Sequence, residues 1–460
     1  MSQQRAGSLG VMVATCPISL CRNAFRGVTW RYRSDNRGSH RSSSFKPPDA
    51  GKGAIRRSTL PIDPLVIPEG LALRIRNVRL SGGTCFDLKD CLVMTRIVSL
   101  LCVAATVLLP SGAQAGTAPV VQPAKRDANA LARAFILEKM ATRHITGMQI
   151  AVVRGGRIVM SEAFGVANVE HQVAVTPDTV FPINSATKSF TGVAAMQLVE
   201  AGKLDLDAPI SRYLDGLPAA WQAIRVRQLL AHTSGLPNIV DRNGLIGGGG
   251  EAAAWVAVKA LPLESAAGTR FSYNQTNYAL LAQIIDKQSG MPFADFFAAR
   301  QFRPAGMTRV RFGDSFDIVP GAATPYSFYG AGHGGAETKE LGRWRDDLPP
   351  FTRTGAGMNA SAREIAGWIV ALQGGKLLAK PDSLPRLWTA DTLDSGSPAQ
   401  WAMGWPVVRA TPHRIVGGIG GGRSAFFIYP DDNLAIVVLT NLVGADPQQF
   451  IDEIAAFYLP

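Results

Sequence analysis

The stretch from Phe181 to Leu214, FPINSATKSFTGVAAMQLVEAGKLDLDAPISRYL, decides how this chain is read. In it Ser185 and Lys188 stand three positions apart at the head of a strongly helical run, with Pro182 and Asn184 just before as entry signals. Residues i and i+3 share a helix face, so the serine hydroxyl and the lysine amine are expected within hydrogen-bond reach. The helix N-terminus adds a positive potential that favours an alkoxide and opposes protonation of the amine. Crowding by Phe190, Val193 and Met196 is expected to desolvate the amine and bring its pKa down toward that of a usable base. Alone, the four residues carry little weight. Ser-x-x-Lys recurs at Ser43 and Lys46, and on the four residues alone an N-cap serine followed by a surface lysine is the better explanation.

Working outward, both ends of the region around this stretch read as strands. MQIAVVRGGRIVMSEAFG (148–165) sets two β-branched runs on either side of Gly155-Gly156, a hairpin signal. SAFFIYP (424–430) and NLAIVVLTN (433–441) form a second pair around Asp431-Asp432. Helices are expected over Asp127 to Arg143 and, amphipathically, over DPQQFIDEIAAFYL (446–459). The middle is helical patterns and Gly/Pro-rich loops. The fold class that follows is α/β of the α+β type: an antiparallel sheet completed by both termini, flanked by helices, with a largely helical insertion.

The 460 residues carry a net charge of +12, an apparent invitation to nucleic acid or anionic lipid. Its location decides otherwise, because residues 1–93 hold 15 Lys/Arg against 6 Asp/Glu and Arg96 adds one more. A surplus of only two remains beyond residue 115, and so nearly neutral a body has no electrostatic footprint for nucleic acid. All five cysteines, Cys16, Cys21, Cys85, Cys91 and Cys102, fall in the same N-terminal part. The body therefore has no thiolate nucleophile and no cysteine-ligated zinc.

MTRIVSLLCVAATVLLPSGAQAG (94–116) has a basic start, an apolar run from Ile97 to Leu109 and a small-x-small end at Ala113-Gln114-Ala115. That is the anatomy of a secretory signal peptide, too short in its apolar run to span a bilayer. The expected organisation is an upstream segment 1–93 that is either mis-assigned or disordered, a signal peptide 94–115, a linker 116–126 and a working domain 127–460. The location expected is the periplasm or the exterior, with no stable membrane anchor.

Around the Ser-x-x-Lys stretch the text changes its weight. The segment from Phe181 to Leu214 resembles the active-site segment of the serine β-lactamase and penicillin-binding protein superfamily, class C-like branch. LLAHTSGLP (229–237), GTRFSYNQTNYALLAQII (268–285), WAMGW (401–405) and VGGIGGGRSAFFIYPDDNLAIVVLTN (416–441) are similar to further stretches of that family and occur in its order. The resemblance covers roughly residues 127–458 and implies a β-lactamase/transpeptidase-like fold.

By position, the resemblance implies Ser185 as nucleophile, Lys188 as general base and Tyr273 as the phenol that relays protons to the leaving group. It further implies an oxyanion hole of the Ser185 and Gly421 backbone N–H groups, and no metal or cofactor. Gln275 and Gly420 are expected to bind substrate. Arg423 is read either as holding a substrate carboxylate or as a strand-edge surface charge. His232 invites a Ser-His-Asp triad, but in the resembling segment it packs below the site and is read as structural. Asp205 and Asp207 read as solvated loop acids.

Two departures stand out. The family's Tyr-Ser/Ala-Asn is here Tyr273-Asn274-Gln275, and its Lys/His-x-Gly is Gly418-Ile419-Gly420. The second removes a cationic or imidazole group beside Tyr273. The expectation is an exported serine hydrolase of esters, amides or peptides that acts on a small-molecule or peptide substrate, with its oligomeric state open. The competing readings are a β-lactamase or D-Ala-D-Ala carboxypeptidase, and a non-catalytic binding or scaffold protein of the same fold.

Overall fold

The computed structural model describes residues 127–329 and 337–459. The upstream segment, the signal peptide and the linker expected over 1–126 lie outside the described residues.

The central sheet takes strands from both ends of the described chain. Its members are β1 (Gly147–Arg154), β2 (Arg157–Asn168), β3 (Val173–Ala174), β4 (Val407–Arg409), β5 (Ile415–Gly420), β6 (Ser424–Tyr429) and β7 (Leu434–Thr440). Their order is β4-β5-β6-β7-β1-β2-β3. The expected hairpin closes with Arg154 opposite Arg157, and β1 pairs antiparallel with β7, Ile150 opposite Val438. Gly155 and Gly156 carry φ of +57° and +72°, the left-handed pair that a two-residue turn of this twist needs.

Every residue of β7 is buried, because both faces of the sheet are covered. Leu434, Ile436 and Val438 pack under the terminal helices α1 (Ala128–Thr142) and α5 (Ile451–Ala455), with Ala132, Ile136 and Ile454. Ala435, Val437 and Leu439 face the other way, into the helical insertion. Each large apolar side chain so enclosed contributes about 1.5–3 kcal/mol. The closing helix is shorter than its apolar pattern suggests. Asp446 is left-handed at φ +46° and Pro447 has no N–H, so the segment opens with a 3-10 turn over Pro447–Gln449. Phe450, Ile451 and Tyr458 nevertheless reach the sheet.

On the other face lie α2 (Thr187–Glu200), α3 (Gln275–Ser289) and α4 (Ala362–Gln373). Residues Thr187 to Leu198 of α2 are all buried, as in a helix enclosed on every side. Phe190 stacks on Trp368 of α4 with ring centroids 3.8 Å apart. Ser361 caps α4 reciprocally: its Oγ accepts from Glu364 N–H at 3.2 Å and its own N–H donates to Glu364 Oε2 at 3.2 Å. Asn274 caps α3 by accepting from Asn277 N–H. Two three-stranded sheets, one of them taking Leu442–Val443 from beyond β7, and one two-stranded sheet complete the described residues, which contain no helix long and apolar enough to cross a membrane.

Candidate active site

Ser185 sits on a 3-10 turn, Asn184–Ala186, that runs directly into α2. Its Oγ accepts a hydrogen bond of 2.7 Å from the hydroxyl of Tyr273, which precedes the cap of α3. Two elements distant in sequence thus converge on one oxygen. The expected Lys188 contact is not the one formed. Lys188 Nζ donates to Gly355 O at 2.8 Å and to Gln275 Oε1 at 3.1 Å, and it is the phenol that occupies the position beside Oγ.

Lys188 is fully buried and no carboxylate bonds its amine. Nζ lies 4.7 Å from the Tyr273 ring centre and 4.8 Å from that of Tyr278. These two rings enclose the amine, while Phe190, Val193 and Met196 are buried in the surrounding core. Burial holds its pKa well below the ordinary lysine value by penalising the charged form. Tyr273 is 40% exposed as a residue, but packing around its hydroxyl pushes the phenol up to about 12, against opposing hydrogen bonds with Ser185 and Gln275.

His232 supports the phenol from behind, its ring centroid 4.4 Å from that of Tyr273. Its Nδ1 accepts from Asn274 N–H at 3.2 Å and lies 3.1 Å from Asn277 Nδ2, and no carboxylate pairs with it. Burial, and then the nearby Lys188, hold this imidazole well below its usual pKa. The structural reading of His232 therefore stands over the triad. Trp401 of the WAMGW segment completes the cradle, 5.7 Å from Tyr273 between ring centroids. Gly404 of the same segment approaches α2 closely: a Cβ there would lie 2.6 Å from Lys188 O.

A cavity of about 450 Å³ opens over Ser185, with Gln275, Tyr329, Asp347, Gly421 and Asp446 among its walls. A larger one of about 520 Å³ lies across the Trp344–Asp346 segment, sharing Trp344 and Asp346 with the first but not Ser185. Ser185 and Gly421, the two expected oxyanion donors, line the same cavity. Gln275 lines it too, while its amide oxygen serves Lys188.

Two expected substrate contacts need correction. Gly420 does not line the cavity; a Cβ there would meet Ile183 O at 1.9 Å and Ser185 N at 2.9 Å, so its role is to let β5 approach the nucleophile turn. Arg423 is neither a surface charge nor a substrate contact. It is fully buried and ion-paired with Asp346, because the turn after β5 directs it inward, under the turn that carries Ser185. Asp205 and Asp207 are exposed as expected, and Asp207 pairs with Arg227 at 2.8 Å.

Sequence reasoning missed Gly355, whose carbonyl fixes Lys188. A Cβ at Gly355 would stand 2.8 Å from Gln275 Oε1 and 3.2 Å from Tyr278 Cβ. The Gly355-Ala-Gly357 spacing within a short helical segment was the available signal. Asp346 carried no signal at all.

The family profile described as Beta-lactamase matches residues 132–458, which contain every element of this site. The chain belongs to the Beta-lactamase family. One relative is PbpX of Bacillus subtilis (strain 168), named as a candidate penicillin-binding protein, 34% identical over 182 residues, 39% of this chain and 45% of that one. Protein flp of Staphylococcus aureus (strain N315) is 26% identical over 313 residues, 65% of this chain and 60% of that one. The chain spans less than two thirds of the length of these curated relatives. Among solved structures, an octameric penicillin-binding protein homologue from Pyrococcus abyssi shares the fold with a TM-score of 0.59 and 25% identity, over 71% of this chain and 76% of that one.

Proposed function

We propose that this Beta-lactamase family member is a serine hydrolase that forms an acyl-enzyme on Ser185 and cleaves esters or amides lacking a carboxylate near the scissile bond. The observation that carries the reading is the 2.7 Å hydrogen bond between Tyr273 and Ser185 Oγ, beside a buried lysine that no carboxylate bonds.

In this reading Ser185 Oγ attacks the carbonyl carbon, and the carbonyl oxygen turns toward the N–H groups of Ser185 and Gly421. Because the phenol touches Oγ and the amine does not, the proton is relayed. After the hydroxyls rotate, the phenol oxygen takes the Oγ proton, and its own proton passes to Lys188 once the amine, held here by Gly355 O and Gln275 Oε1, turns toward it. The proton returns through the phenol to the leaving alcohol or amine as the tetrahedral adduct collapses, and water then releases the acyl group by the same route.

Preference against carboxylates is supported by two features. The carboxylates on the cavity wall are Asp346, Asp347 and Asp446, with no basic side chain lining it among the described residues. Gly418 also supplies no cation where the resembling family has Lys or His. This disfavours the β-lactamase and D-Ala-D-Ala carboxypeptidase reading. Export through residues 94–115 is part of the proposal, resting on the signal-peptide anatomy.

The test is labelling of the full chain with a fluorophosphonate, followed by peptide mapping, together with a panel of nitrophenyl esters and nitroanilides. Labelling at Ser185 and turnover lost in Ser185→Ala are expected. Absence of both labelling and turnover would leave the scaffold reading in its place.

A further inference from the structure

Arg423 has no role in the chemistry just described, yet its side chain is completely buried beside it. Taking a guanidinium out of water is costly, and a buried ion pair seldom repays that cost in stability alone. Its partners suggest what else it does. Nε and Nη2 donate to Asn184 Oδ1 at 3.1 and 2.7 Å, and Nη2 also bonds the Asp346 carboxylate. Asp346 is itself held, its Oδ1 accepting from Trp344 Nε1 at 3.0 Å and its N–H donating to Ser315 Oγ at 2.8 Å.

Asn184 immediately precedes the nucleophile and carries φ of +45°, a left-handed backbone that few residues besides glycine and asparagine adopt. Gly421 packs on that side chain; a Cβ at Gly421 would lie 2.9 Å from Asn184 Cγ. Arg423 belongs to the same tight turn as Gly421. Its N–H donates to Gly420 O at 3.1 Å, and its carbonyl accepts from Thr440 N at 2.8 Å and Thr440 Oγ1 at 3.0 Å. One guanidinium therefore ties the turn bearing the Ser185 N–H to the turn bearing the Gly421 N–H.

We infer that Arg423 is a positioning residue: through Asn184 it sets the separation and aim of the two oxyanion donors, with Asp346 balancing its charge. This deepens the proposed serine hydrolase reading and rests on it. Oxyanion stabilisation needs both donors within hydrogen-bond distance of one oxygen, and a misplacement of about 1 Å is worth on the order of a hundredfold in rate. The effect belongs in kcat, because ground-state substrate binding does not depend on that oxygen alone.

The experiment compares wild type, Arg423→Met and Asn184→Gly in the full chain. Asn184→Gly keeps the left-handed backbone accessible and removes the side chain that carries the acceptor oxygen while leaving Arg423 and Asp346 paired, so it stays informative if Arg423→Met does not fold. Steady-state turnover of a nitrophenyl ester is measured per active site, the sites being counted by fluorophosphonate titration. Both variants should lose roughly 10- to 100-fold in kcat per titrated site, with KM within about threefold of wild type. Wild-type kcat per titrated site in Asn184→Gly, or a loss appearing only in KM, would overturn the inference. A wild type that neither labels nor turns over would instead count against the serine hydrolase reading itself.

Discussion

The ring of Phe426 lies over the bare Cα of Gly418. The two are directly paired across β5 and β6, and a Cβ at Gly418 would stand 2.4 Å from Phe426 Cε1, 2.5 Å from Cζ and 3.1 Å from Ala186 Cβ. The ring cannot swing aside cheaply, since it is fully buried between Trp368 and Trp405, with centroids 6.2 and 5.8 Å away. The departure at Gly418 is thus more than a missing charge, because the space is occupied by an aromatic ring.

Restoring a cation at this position alone should therefore fail. Gly418→Lys and Gly418→His should each lose about 1–3 kcal/mol of stability through overpacking and should gain nothing on β-lactams. Adding Phe426→Leu should relieve the clash. The double variant is expected to raise the ratio of kcat/KM for a chromogenic cephalosporin over a nitrophenyl ester about tenfold or more, the value of one charge-assisted hydrogen bond. Efficient cephalosporin hydrolysis by wild type would refute the proposed selectivity.

Ser185→Ala should abolish turnover, and Lys188→Ala should reduce it by several orders of magnitude. Because the proposed mechanism puts the two in one proton-transfer unit, their losses should not add. The double variant should be no slower than the slower single variant under single-turnover conditions; ester turnover surviving in Ser185→Ala would contradict the mechanism.

The pH dependence follows from the two shifted groups. Burial lowers the Lys188 pKa, so the active neutral amine persists well below the ordinary lysine range and is lost only as pH falls through that depressed value. The phenol, pushed up to about 12, stays protonated through the pH at which an ordinary tyrosine ionises. A profile of kcat/KM should rise with pH on one acidic limb and remain flat through pH of about 10. A descending limb near that pH would mean that the phenol is not shifted as the packing around its hydroxyl requires.

Gly355→Ala tests the collar around Lys188. The added methyl group would press on Gln275 Oε1 and Tyr278 Cβ and come within 3.4 Å of Lys188 Nζ, so the amide that holds the amine must shift. Loss of more than about tenfold in kcat is expected, with about 1–3 kcal/mol of destabilisation measured by denaturant unfolding. Gly202→Ala is the control. That glycine is exposed and a Cβ there meets nothing within 4 Å, although its φ of +69° adds modest strain, so stability should fall and kcat should not.

Export is tested by expressing the full sequence in a host with a secretory pathway and sequencing the N-terminus of exported protein. A mature chain beginning at Gly116 is expected. A mature N-terminus upstream of Met94 would contradict both the signal peptide and its proposed start.

By itself the sequence determined the frame of this protein, because the frame is written in local periodicity. Alternating and continuous apolar runs marked β1, β2, β6 and β7, the glycine pair marked the hairpin, and the Ser-x-x-Lys helix stood at the head of its run. Motif order then pointed to the family and to Ser185, Lys188 and Tyr273. What only the tertiary structure decided is how those groups face one another. Tyr273 meets Ser185 across 88 residues, Lys188 finds Gly355 across 167, and Arg423 turns inward to Asn184 across 239. A linear pattern records which side chains are present and at what period. It does not record which backbone approaches which, and it was that approach that put the phenol rather than the lysine beside Oγ. The same kind of packing filled the place above Gly418 with Phe426 and buried a guanidinium that reads, in one dimension, as a surface charge.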